Sequence, residues 1–191
     1  MLLDLERHPT AAALAILAIE ELGKVSILRN LSTASDEELG SIWREYRTHT
    51  KKNAAWILPQ LASQGAKTLG DFRPLFDPSA EHPIVIDQIK QLGFYTDCLA
   101  NAHWSIPIEV IDAKLASTLV RTAEGLSLGR RVTEREIELW IEHLGPVWNQ
   151  DMSWMKKAVR NWYEALSREG LLDDVSLAEV SAFLGFDNEQ E

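Results

Sequence analysis

A single cysteine, Cys98, in 191 residues excludes a disulfide scaffold and any zinc site built on paired thiolates. Ten glycines and seven prolines are too few for a turn-rich all-β chain, and Ile84-Val85-Ile86 is the one β-branched run. No apolar stretch approaches the roughly 18 residues of a membrane span. The longest, Ala11 to Ile19, is alanine-rich and ends in Glu20 and Glu21. No basic segment with a small-residue cleavage site precedes it, so no leader is expected, and the reading is a soluble cytoplasmic protein with no membrane partner. There is no Gly-rich phosphate loop. None of the five histidines follows a Glu by three residues, which removes the di-iron carboxylate chemistry of helical bundles. No metal and no cofactor is expected.

What remains is an ordinary globular composition, 46% hydrophobic and 25% charged, enough for one sizeable domain or a domain with an appendage. The periodicity is helical throughout. Pro9 suits a first turn, and the chain reads as helix to about Asn30, with Leu14, Ala18, Glu21, Val25 and Leu28 on one face. Alanines 11–13, 15 and 18 combine helix propensity with little bulk, so a second helix can approach closely. Ser35 with Glu38 is a capping box. It opens a helix expected to run from Asp36 to about Leu58. Further helices are expected over Ile84–Leu99, with Gly93 as an interruption, and over Ile108–Glu124. Thr133 with Glu136 caps Glu134–Leu144; another helix reaches about Arg168, and a short last one ends near Gly185. The expectation is all-α: a bundle core over residues 1–124 with a C-terminal helical extension, 125–191, packed on it as one compact unit.

Nineteen basic against 29 acidic side chains give a net −10, a field that repels nucleic acid over most of the surface. One stretch is the exception: Arg44, Arg47, Lys51 and Lys52 stand against Glu45 alone, four cations to one anion. The tail from Glu169 carries acids and no Lys or Arg. Near the basic stretch, Leu39, Ile42, Tyr46, His49, Asn53 and Trp56 form a helical stripe whose polar members are His49 and Asn53. On the first helix, Glu20 with Lys24 reads as an exposed i,i+4 ion pair. Glu21 sits on the packing stripe, where a carboxylate is costly without a partner, and His49 is the candidate partner. On one straight helix Arg44 lies about 140° round from His49. Aiming both at one atom needs a helix end, a bend or a second copy of the helix.

Leu14-Ala-Ile-Leu-Ala-Ile-Glu20-Glu21-Leu-Gly23-Lys24, then Trp43-Arg-Glu-Tyr-Arg47-Thr-His49-Thr-Lys51-Lys52, and then Gly93-Phe-Tyr95-Thr-Asp97 with Trp104-Ser-Ile-Pro107 resemble the AbiV-type HEPN proteins of bacterial abortive infection. The blocks span Ala11 to Pro107 in the family's order. The resemblance implies a HEPN-like helical bundle. Many such domains are metal-independent ribonucleases using Arg-x(4–6)-His at a homodimer interface, and Arg44 with His49 satisfies that spacing. His49 is then the general base, Arg44 and Arg47 hold the scissile phosphate, and Glu21 orients His49 or its neighbouring Arg. Lys51 and Lys52 track the RNA backbone, with Lys24 and Asn53 completing the substrate-binding set. RNA, a second copy of the chain and a phage-encoded activator protein are the implied partners. Glu45 follows Arg44 where many such nucleases carry Asn, Asp or His, and only residues 1–7 precede the first helix where the family usually has another. These two features and the net charge support the alternative, a non-catalytic helical protein acting through a protein partner. Trp140, Trp148, Trp154 and Trp162 are then either core or a docking surface.

Overall fold

The computed structural model describes residues 1–77, 79–98, 104–127, 132–148, 150–172 and 177–186, and they fold as an all-α protein. Helix α1, His8–Thr33, has Pro9 in its first turn and runs through the middle of the bundle. Ala11, Ala12, Ala13, Ala15, Ile16 and Ile19 are all buried in it, while Leu14, Leu17 and Ala18 on the other side stay exposed. Small side chains permit this. A Cβ on Gly93 of α5, His82–Phe94, would stand 3.2 Å from the Pro9 carbonyl oxygen and 3.3 Å from Ala13 Cβ. The core joins Ile16 and Ile19 to Ile86 of α5, to Ile111, and to Ala116 and Leu119 of α7, Ala113–Ser127. Each large aliphatic side chain buried this way contributes about 1.5–3 kcal/mol.

The buried face of α1 is not the stripe expected from spacing. Leu14 and Leu28 are exposed, as are Ala18 and Glu21, while Ala12, Ile16, Ile19, Glu20 and Ile27 point inward. A helix apolar on nearly every side has several stripes at helical spacing, and the one carrying the smallest side chains is where α5 and α7 come close.

The second expected helix is also revised. Helix α2, Asp36–Arg47, opens with the Ser35 amide and hydroxyl donating to the Glu38 carboxylate at 3.0 and 2.9 Å, as the capping box implies. It stops at Thr48, which is extended (φ −91°, ψ 121°) and donates its hydroxyl to the Arg44 carbonyl at 2.7 Å. A new short helix, α3, His49–Lys52, follows, then a 3-10 turn at Ala54–Ile57 and α4, Leu58–Ser63. Thr side chains that bond back to the preceding turn offer the backbone an alternative to helix continuation. Helix α5 ends at Phe94, with Gly93 inside its last turn rather than interrupting it. Two short paired strands follow, Asp97–Cys98 (β1) antiparallel to Trp104–Ser105 (β2), where helix and then turn were expected. Helix α6, Pro107–Val110, is separated from α7 by Ile111 and Asp112, whose carboxylate accepts the Leu115 amide at 2.7 Å.

Beyond α7, α8 (Glu134–Leu144) and α9 (Met152–Arg168) enclose a second core of Leu139, Leu144, Ala158, Trp162, Ala165 and Leu166, and α10, Leu177–Leu184, packs on α9. Arg29 of α1 ties this core to the first. Its Nη2 donates to the buried Glu136 carboxylate at 2.7 Å, and its guanidinium lies 5.6 and 5.2 Å from the Trp140 and Trp162 rings. Trp140, Trp148 and Trp162 are therefore packing residues, and Trp154 is exposed.

Candidate active site

The chemistry-bearing side chains meet where α1, α3 and α5 pack together. Gly23 is the reason α3 can lie so near α1. A Cβ there would stand 1.9 Å from the Lys52 carbonyl oxygen and 2.8 Å from its carbon, a backbone contact only glycine permits. Three residues before it, Glu20 is 2% exposed. Its Oε2 accepts from His49 Nδ1 at 2.8 Å, and its Oε1 takes the Asn53 amide at 3.5 Å and the Lys90 ammonium. Lys90, on α5, is itself 4% exposed and also pairs with Asp87 at 2.7 Å.

Burial pushes the Glu20 carboxyl up, but hydrogen bonds and charge from Lys90 and His49 outweigh it and hold the group below its ordinary value. Burial likewise pushes Lys90 down, and Asp87 and Glu20 more than offset it, holding the ammonium above its ordinary value. Glu20 is thus an ionised carboxylate, and an ionised carboxylate only accepts hydrogen bonds. The hydrogen shared with His49 therefore sits on Nδ1, and in the neutral ring the lone pair is on Nε2. With its side chain 57% exposed, His49 carries that lone pair at the surface while its other edge is anchored inside. Glu20, His49 and Asp87 each place a ligand atom within 4.8 Å of the others. A cation would find that spacing workable, but the Lys90 ammonium already bonds both carboxylates and supplies the positive charge there.

The cationic side chains divide. Arg44 and Arg47 occupy the last turn of α2 and are exposed, as is Lys51 on α3. None of the three forms an ion pair among the described residues. Both arginines stabilise the negative end of the α2 dipole. Lys52 is 7% exposed and Asn53 is fully buried, so neither is presented to a polyanion as expected. The two carboxylates also exchange roles. Glu21, not Glu20, pairs with Lys24, at 2.5 Å, and it is solvent-exposed; Glu20, not Glu21, orients His49. Lys24 Nζ, held by Glu21, lies 5.6 Å over the Tyr46 ring. The break at Thr48 removes the 140° offset that a continuous helix would impose between Arg44 and His49.

Asp87 and Lys90 were missed from sequence. Their signal was readable: Lys90 stands four residues after Ile86, on the inward face of an apolar helix.

A family model described as HEPN_AbiV, AbiV, matches residues 1–127. The chain belongs to the AbiV family of HEPN proteins. The match takes in α1 to α7 and every residue of the site above. No curated protein matches the chain, nor does any solved structure. HEPN helical architecture is what the fold displays, and membership of the AbiV family suggests a role in abortive infection and phage defence. Among the described residues no helix is long and apolar enough to cross a membrane.

Proposed function

We propose that this AbiV protein is a metal-independent endoribonuclease acting as a homodimer, with His49 as general base. The observation that carries the reading is the Glu20–His49 hydrogen bond. It anchors the Nδ1 edge of an exposed ring, so that the neutral imidazole carries its lone pair on Nε2; Arg44, Arg47 and Lys51, within five residues of it in sequence, are exposed as well. Imidazole is the side chain whose ordinary titration lies nearest neutral pH. Nε2 takes the proton of a ribose 2′-hydroxyl, and the 2′-oxygen attacks the adjacent phosphorus. The bond from phosphorus to the 5′-oxygen breaks, and that oxygen leaves with a proton from solvent. The products are a 2′,3′-cyclic phosphate and a 5′-hydroxyl. Arg44 and Arg47 stabilise charge on the phosphorane, and Lys51 adds salt-dependent attraction to the backbone. The exposed Leu14, Leu17 and Leu28 on α1 support pairing of two copies, since apolar residues along one helix favour a covered face.

The test incubates RNA with the protein in EDTA. Cleavage leaving a cyclic phosphate is expected, with His49→Ala and Arg44→Ala each slower by about 10²-fold or more. Equal rates for all three proteins would end the assignment. Glu20→Gln carries a finer expectation. Without a carboxylate on Nδ1 the ring loses the partner that holds it, so the cleavage rate falls. An unchanged rate would show that Glu20 has no hand in positioning His49.

A further inference from the structure

Helix α2 contains no buried residue, and its inner side is Leu39, Ile42 and Tyr46, each half-buried. Trp43 does not join them. It is 47% exposed, an apolar ring left in water on the polar side of a charged helix. Tyr46 supports it edge-on, with ring centroids 5.5 Å apart and an interplanar angle of 79°, and Tyr46 is in turn backed by the Lys24 ammonium. Arg47 is one turn on from Trp43, on the same face, and Arg44 is one turn before Arg47. Glu45, the acid between them in sequence, lies about 200° round the helix from Trp43, on the other side. The result is a braced aromatic ring on the same side as Arg47, with Arg44 about 100° round the helix from the ring, on a protein of net charge −10.

That combination discriminates between occupants. A protein docking on Trp43 would gain from exposed apolar neighbours, but Leu39 and Tyr46, one turn to either side, are half-buried, and the exposed side chain one turn on is Arg47. A nucleotide offers a flat π-face for the ring and a phosphate for the guanidinium groups, so both halves of the surface are satisfied at once. We infer that Trp43, braced by Tyr46, is a stacking platform for an RNA base next to the phosphate held by Arg44 and Arg47. The inference deepens the nuclease reading and rests on it for the choice of RNA. It adds a subsite that reads a base face rather than the backbone, and it requires that base to be unpaired.

The experiment measures fluorescence anisotropy of a labelled 2′-O-methyl oligouridylate, which lacks the nucleophile and survives exposure to the wild-type protein. An otherwise identical strand with abasic sugars is the control. Base–aromatic stacking predicts that Trp43→Ala weakens binding of the base-bearing strand by about 5- to 150-fold. Trp43→Phe should stay within about threefold of wild type, because it keeps a π-face. The abasic strand should bind weakly and to the same extent in all three proteins. Equal affinity of wild type for both strands, no loss in Trp43→Ala, or no binding by wild type overturns the platform. So does a Trp43→Ala protein that loses both strands equally and becomes monomeric by light scattering, which makes Trp43 a subunit contact. Cleavage of unmodified RNA in EDTA is read in parallel. Cleavage without a stacking effect removes the platform and leaves the nuclease; a stacking effect without cleavage does the reverse.

Discussion

Lys90→Met is expected to lower the stability of the fold by about 3–5 kcal/mol, the cost typical of removing one member of a buried ion pair. Lys90 and Glu20 are both nearly inaccessible, and Lys90 also serves Asp87. Deleting the ammonium leaves two carboxylates facing each other in a poorly hydrated pocket with His49 and Asn53 as the remaining donors to Glu20. The pH dependence follows from the direction of each shift. Glu20 is held below its ordinary value, so its stabilising contribution is complete above the usual glutamate range, near 4.3, and is lost as pH falls through its folded-state value. Lys90 is held above its ordinary value, so its contribution is complete below about 10.4 and is lost as pH rises through its folded-state value. Wild type should therefore show a stability plateau across the neutral range in urea melts. Lys90→Met should lose the plateau, with stability improving toward acid as Glu20 takes up a proton. The double variant Glu20→Gln/Lys90→Met should recover part of the loss, since neutral partners carry no unpaired charge. Equal melts for wild type and Lys90→Met at neutral pH would show that the pair contributes nothing.

Local chemistry was readable from the chain and long-range choice was not. The box at Ser35 and Glu38 and the cap at Thr133 involve residues three apart, so their geometry is settled before any packing occurs. The alanine run announced close approach by another helix, and Gly93 lies against it. The Arg-x(4)-His spacing also needs nothing beyond the sequence. Choosing between Glu20 and Glu21 was different, because adjacent residues on a helix differ by 100° and the first half of α1 is apolar on nearly every side. Only the positions of α3 and α5 decide which carboxylate is enclosed, and the partner that fixes it, Lys90, is 70 residues away. The one local clue was Gly23, which shares the Glu20 side and marks where another backbone comes close. The break at Thr48 carries neither Pro nor Gly. It depends on a threonine hydroxyl competing for the Arg44 carbonyl, an option open to many threonines that remain helical.

Gly23 also sets the second large effect. In Gly23→Ala the added methyl carbon would overlap the Lys52 carbonyl, at 1.9 Å from the oxygen, with Lys52 Cα 3.1 Å away. These are backbone atoms of a helix, so no rotamer change relieves the clash and α3 has to move as a body. The aliphatic core of α1, α5 and α7 does not include that contact, so the protein should still fold, at a cost of about 1–3 kcal/mol typical of overpacking. Function should be lost along with stability. His49 is the first residue of α3 and Asn53 follows its last, so moving α3 lengthens both contacts to Glu20. A displacement of about 1 Å at a reacting group costs on the order of 10²-fold in rate. The comparison is Gly125→Ala, in α7, where a Cβ meets nothing within 4 Å and the change should stabilise by about 0.5–1 kcal/mol. Measuring thermal unfolding and RNA cleavage for the two variants side by side separates the cases. If Gly23→Ala cleaves as wild type does, the approach of α3 to α1 is not what holds His49 in place, and the Glu20 hydrogen bond ceases to explain its orientation.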